Sequence, residues 1–252
     1  MTVQTILILF AAGFFGGLAN SIAGGASLIT FPALLAIGLP PIVANASNTF
    51  ALLPANLLGA YGDRAKLPIR ENGFRTGLLI ALVGGTVGAV LLLVSSDRFF
   101  SLIVPALIGG ATLIFAFGKR IQSWMAAHLG GSDNPLLRNV LLFPTSIYGG
   151  YFGAGVGVMF MALFGATSTL DVRQANANKN ALGFLTNLSA ALIFIWQGVI
   201  NWPVALTMFP ATACGGLVGA KLIKIIPAFY IRATIISIGV VMTAIYAYRY
   251  WL

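Results

Sequence analysis

The sequence predicts an all-α integral membrane protein built from two inverted repeats, each with about three spanning helices plus a broken or re-entrant hydrophobic element. Three observations carry that prediction. The 252 residues are 59% hydrophobic and only 8% charged, whereas a soluble domain carries roughly 25% charged residues. The chain also repeats itself without a gap: Ala23-Gly24 returns as Ala154-Gly155, Ala44-Asn45-Ala46 as Ala175-Asn176-Ala177, and Asn56-Leu57 as Asn187-Leu188. Gly84-Gly85…Gly88-Ala89 likewise returns as Gly215-Gly216…Gly219-Ala220. Finally, the charges lie between apolar runs, on alternate loops in the two copies. Runs such as 77–94 and 102–117 are apolar on all sides, which argues against the alternating pattern of a membrane β-barrel.

Each half divides into four hydrophobic pieces, about 5–37, 42–61, 76–95 and 99–118, then 137–169, 174–197, 203–221 and 229–250. The division is a first repeat (1–118), a cytoplasmic linker (119–136, with His128, Gly130, Gly131, Asp133 and Pro135) and a second repeat (137–252). The first piece of each half is too long for one crossing and too short for two, at about 20 residues each. Glycine interrupts it at Gly24-Gly25, and at Gly153, Gly155 and Gly157. Two short half-helices fit that length. Non-helical backbone at membrane depth survives only where protein or a water-filled cavity shields it.

The loop after the second piece carries Arg64, Lys66, Arg70 and Arg75 in the first half, but its counterpart 197–203 has no charge. The next loop reverses this: one cation and one anion at 95–98, against Lys221, Lys224 and Arg232. Cations mark the cytoplasmic side, so equivalent loops lie on opposite sides and the copies are inverted. Three spans plus one re-entrant piece give the odd number of crossings that inversion requires, with both termini outside the cytoplasm. The net charge of +9 is thus a topology signal; no nucleic-acid partner is expected. The lipid bilayer is. Aromatic residues at segment ends, among them Trp196, Trp202, Tyr246, Tyr248, Tyr250 and Trp251, read as interfacial anchors.

Helical positions eleven apart return to within about 20° of one face, which aligns Asn45 with Asn56 and Asn176 with Asn187. Asn180 falls between the latter two, and Asn48 lies on an adjacent face. An unpartnered amide in hydrocarbon costs a few kcal/mol, so these side chains must meet protein or water. They either bind helices together or line a polar path; doubling of the stripe beside glycine breaks favours the path. At the breaks Gly24, Gly25, Gly155 and Gly157 can present N–H groups and positive half-helix ends to an anion. Lys179 is either a charge partner there or an anchor at a helix start. The Gly84–Gly88 and Gly215–Gly219 faces read as close-packing surfaces, usable within the chain or in a homodimer.

All five acids, Asp63, Glu71, Asp97, Asp133 and Asp171, fall in loops or at segment ends, which leaves no embedded carboxylate as a proton or sodium site. There is no nucleophile–base pair, no His/Cys/Asp metal cluster and no phosphate fingerprint, so no enzyme activity, metal or cofactor is expected. Cys214, the single cysteine, reads as a small packing residue.

The order of these motifs resembles the sulfite exporter TauE/SafE family: Gly13-Phe14-Phe15-Gly16-Gly17 with Ala23-Gly24-Gly25 and Phe31-Pro32, then Leu39-Pro40 leading into Val43-Ala44-Asn45-Ala46. The second half repeats this from Gly149 to Gly157 and from Ala175 to Lys179. The resemblance implies a bacterial-type inner-membrane permease for sulfite, sulfoacetate and other organosulfonates, or related small anions. A passive channel for small anions or neutral solutes is the alternative, and a non-transporting scaffold or enzyme subunit a third.

Overall fold

The computed structural model describes residues 1–22, 24–62, 64–67, 69, 73–128, 134–222 and 228–252. Arg70 and Lys224, and the acids Asp63, Glu71 and Asp133, lie outside the described residues. In chain order the helices are α1 (Val3–Ile22), α2 (Ser27–Ala36), α3 (Pro41–Ala51), α4 (Leu53–Gly62), α5 (Phe74–Val94) and α6 (Asp97–His128). They continue as α7 (Pro135–Tyr151), α8 (Val156–Thr167), α9 (Val172–Trp196), α10 (Trp202–Leu222) and α11 (Ala228–Trp251). Among the described residues, α1, α5, α6, α10 and α11 are long and apolar enough to cross a bilayer. The protein is an all-helical integral membrane protein.

The hydrophobic pieces correspond to α1–α2, α3–α4, α5 and α6, and then to α7–α8, α9, α10 and α11. Two details differ from expectation. The first piece is not two short halves: α1 has 20 residues, about 30 Å of helix, and only α2 and α8 are short. Gly13 and Gly17 do not break α1, because their bare faces lie on α10. The expected linker also begins as helix, since α6 continues through Lys119 and Arg120 to His128.

Equivalent helices make reciprocal contacts. α1 packs along α10, and its mate α7 packs along α5, the mate of α10. Gly13 meets Met208 and Ala211, Gly17 meets Thr212 and Gly216, and Gly219 meets Leu18 and Ser21, so α1 and α10 run parallel. Gly77 against Leu142 and Gly88 against Ile147 and Tyr151 give the same relation for α5 and α7. The packing reading of the Gly84–Gly88 and Gly215–Gly219 faces therefore holds within the chain. Small residues let backbones approach where lipid supplies no hydrophobic drive between helices.

The mates α6 and α11 pack against each other in opposite directions. Trp251 Nε1 donates to Leu102 O at 2.7 Å and Arg232 Nη2 to Phe115 O at 2.7 Å, with Gly109 against Thr243 and Gly239 against Thr112 between them. α4 and α9 are antiparallel as well: Gly59 abuts Asn180 and Asn56 abuts Gly183. Tyr246 is no interfacial anchor; it is buried, with its hydroxyl donating to Pro32 O at 3.4 Å. Cys214 is exposed rather than packed.

Following these directions round the bundle collects the ends of α4, α6, α8 and α10 with the starts of α5, α7, α9 and α11. Arg64, Lys66, Arg75, Lys119, Arg120, Arg138, Arg173, Lys221 and Arg232 all sit toward that end. Asp97, Arg98, Arg249 and both termini lie toward the other.

A side chain at Gly88 would strike Ile147 O and Tyr151 N, and one at Gly215 would strike Phe14 O. Gly88→Leu and Gly215→Leu are each expected to destabilise the fold by about 1–3 kcal/mol or more through overpacking. Gly110→Ala, whose new methyl meets open space, should be neutral or stabilise by up to about 1 kcal/mol. Thermal unfolding in detergent reads all three.

Candidate functional site

The site is built where the two chain breaks touch. Between α1 and α2 the backbone turns at Gly24 with φ +79°; between α7 and α8 it turns at Gly153 and Gly155 with φ +76° and +75°. Only glycine occupies this left-handed region at little cost. A Cβ on Gly24 would lie 3.5 Å from Gly157 Cα, and one on Gly157 would lie 3.3 Å from Gly24 O. Backbone thus meets backbone.

Beside this contact is a narrow cavity of about 30 Å³ that opens into a wider mouth. The first break contributes Asn20, Gly24, Ala26 and Ser27; the second contributes Gly153, Val156, Gly157 and Phe160. Leu52, where α3 gives way to α4, and Asn56 close one side, and Lys179, Gly183 and Asn187 of α9 close the other. Asn20 Nδ2 donates to Asn56 Oδ1 at 2.9 Å. α2 and α8 both start at the cavity, and neither has a side-chain cap on its first turn. Leu28 and Ile29 of α2 and Val156 and Val158 of α8 donate their N–H groups to the carbonyls of Gly25, Ala26, Gly153 and Gly155, and the macrodipole makes each helix start positive.

Lys179 is buried, 6% exposed, and makes polar or electrostatic contacts of its own. Its Cδ lies 3.5 Å from where a Gly157 Cβ would be, so the stem runs along the second break. Among the described residues, no carboxylate lines the cavity. With amide groups, two helix starts and an ammonium, the electrostatics favour a small anion over a cation. Among the described residues, no group of His, Cys, Asp and Glu is suited to a metal ion.

Gly24, Asn56, Gly157, Lys179 and Asn187 of the expected site are brought together here; the others lie around it. Gly25 is packed against Phe115 and Ile235, and Gly155 against Ala111. Asn45 Nδ2 donates to Tyr151 O at 2.9 Å, tying α3 to the second break. Asn48 Nδ2 donates to Ser27 Oγ at 3.3 Å and supports the start of α2 from behind. Asn180 packs on Gly59, and Asn176 is half-buried near the start of α9. The expected alignment of Asn45 with Asn56 assumes a continuous helix, but the chain is interrupted at Leu52. α9 has no such interruption.

Sequence reasoning missed Asn20, Ser27, Gly153, Phe160 and Gly183. Asn20 was hidden by the repeat itself, because its mate is Tyr151. The available signal was an amide in the last turn of an apolar helix, one turn before Gly24.

Comparison with known proteins agrees with this architecture. A family model described as "Sulfite exporter TauE/SafE" matches residues 9–246. A "Probable membrane transporter protein" of Haemophilus influenzae is 27% identical over 96% of this chain and 94% of its own length. "Probable membrane transporter protein ORF9" of Sinorhizobium sp is 28% identical over 100% of this chain and 98% of its own length. "Probable membrane transporter protein YfcA" of Escherichia coli strain K12 is 25% identical, covering 94% and 87%.

A double-mutant cycle of Asn20→Leu and Asn56→Leu, read by unfolding in detergent, should return a coupling of about 0.5–1.5 kcal/mol, the net worth of a hydrogen bond. Additivity of the two substitutions would show that the amides do not act together.

Proposed function

Because the chain belongs to the sulfite exporter TauE/SafE family, a family of membrane transporters, we propose that it is a permease of small anions such as sulfite or organosulfonates like sulfoacetate, acting in a bacterial-type inner membrane. The observation that carries the reading is the cavity at the touching breaks, where two uncapped helix starts converge with Asn56, Asn187 and Lys179. A pyramidal or tetrahedral oxyanion has acceptor oxygens for several such donors at once. Asn20, Asn56 and Asn187 supply amides, the positive starts of α2 and α8 face the guest, and Lys179 balances the charge. The sulfur in this reading comes from the family, not from the cavity.

The two repeats are inverted in this proposal. Its support is the antiparallel packing of the mates α6 and α11 and the gathering of basic residues at one end of the bundle, which is then the cytoplasmic end. A site between inverted copies, beside discontinuous helices, suits alternating access. Because no carboxylate among the described residues lines the cavity, a passive pore is the second reading. Counterflow in proteoliposomes separates the two, since trans-stimulation marks a carrier and unsaturable flux a pore.

Asn56→Leu and Asn187→Leu are each expected to lower sulfite flux about tenfold or more, in line with the loss of a hydrogen bond to a charged group, at unchanged membrane protein level. Wild-type flux from both variants would remove the cavity from the path. In a thermal-shift panel of sulfite, sulfoacetate, taurine, thiosulfate and sulfate, the transported anions should raise the unfolding temperature by mass action.

A further inference from the structure

On the far side of α8 from the central cavity lies a groove of about 300 Å³, twice the roughly 150 Å³ at which an apolar cavity accepts benzene. Its walls are α6 and α7 and its floor is α8. Both walls pack on α8, and among the described residues they scarcely touch each other. Ile121, Met125, Leu141 and Pro144 at the rim are half-buried or exposed, whereas Val158, Ala162 and Leu163 beneath them are buried. The groove is thus open along the outside of the bundle and closed toward its inside.

The lining is apolar. Its one hydroxyl, that of Thr145, already donates to Leu141 O at 2.8 Å, so neither water nor an ion finds a partner there. An empty apolar space leaves its lining atoms without dispersion partners. The first copy is filled differently at the equivalent positions: Phe14, Phe31 and Arg249 stand where the groove has Thr145, Ala162 and Gly118. Phe31 is fully buried, its ring 5.1 Å from that of Phe152. Where the first copy packs a phenyl ring of its own, the second has only a methyl group.

Position and charge select the occupant. α6 has 32 residues, about 48 Å of helix, against a hydrocarbon core of about 30 Å. Its last turns therefore leave the hydrocarbon at the basic end of the bundle, and the groove follows them from Ile114 to Met125. Lys119 and Arg120, both exposed, fall on the turn between Gly118 and Ile121 of that wall. Side chains of this length reach the headgroup level while their stems stay on apolar surface. A phospholipid of that leaflet meets an apolar groove with its chain and two cations with its headgroup, which favours an anionic lipid.

We infer that the groove between α6 and α7 binds an acyl chain of an anionic phospholipid from the basic-end leaflet, with Lys119 and Arg120 at the headgroup. α8 has two working faces: Val156, Gly157 and Phe160 line the central cavity, while Met159, Ala162 and Leu163 line the groove. The bound chain packs the outer face of α8 and steadies the wall of the central site. Its effect on flux rests on the transport reading of that site; the binding itself does not.

The test uses the full chain, purified in detergent and stripped of lipid, with phosphatidylglycerol and phosphatidylcholine as probes. In native mass spectrometry the wild type should retain one phosphatidylglycerol under conditions that remove phosphatidylcholine, and the same lipid should raise its unfolding temperature. Ala162→Phe, which places the first copy's residue in the floor, should lose the retained lipid. Ile121→Trp, at the half-exposed rim, should weaken retention as well and covers the case in which the floor variant fails to fold. Lys119→Gln and Arg120→Gln should each lower the preference for phosphatidylglycerol about fivefold, the worth of one cation near an anionic surface. Equal retention by the wild type and the folded groove variants, or a second copy of the chain held in place of the lipid, would overturn the site. Retention lost in the groove variants of a protein that moves no sulfite in any lipid sinks the transport reading alone.

Discussion

Everything in this molecule is arranged around the contact between two stretches of non-helical backbone. Gly24 and Gly157 approach to van der Waals distance, and the residues around them cannot make the regular bonds of a helix. In hydrocarbon each unsatisfied N–H or C=O costs several kcal/mol, so these turns exist only because the rest of the protein encloses them. Helices α1 and α7 lead into them. These two helices carry the breaks into the bundle, and α2 and α8 follow as short segments whose positive ends lie at the shared cavity.

Enclosure demands close packing without a hydrophobic drive between helices, and glycine supplies it. The first helix of each half lies on the third piece of the other, α1 on α10 and α7 on α5, through Gly17, Gly216 and Gly219 on one side and Gly84, Gly85, Gly88 and Gly150 on the other. The two halves are interlocked rather than merely juxtaposed. Side-chain amides complete the frame: Asn45 holds the carbonyl of Tyr151 at the second break, and Asn48 holds Ser27 at the first. These asparagines place the backbone that lines the cavity. Asn56 and Asn187 face the cavity itself.

Charge then distinguishes the two ends. The cations gather toward one end, and two of them, Arg138 on α7 and Lys179 on α9, are buried. Both belong to the second copy, and their mates, Leu7 and Asn48, carry no charge. A chain that repeats itself in sequence therefore carries these two buried charges in one copy alone.

The apolar composition, the constant offset between the copies and the position of the glycines were enough to determine the helical membrane class, the division into hydrophobic pieces and the location of both breaks. These are local or periodic properties, legible one residue at a time. Which asparagines would meet was not legible. Asn45 is held to the carbonyl of Tyr151 while Asn56 faces the cavity, and Asn20 gains its role from a neighbour 36 positions away. Cavities belong to pairs of helices. Their lining is set by packing directions and by small departures from the repeat, and only the folded chain decides those.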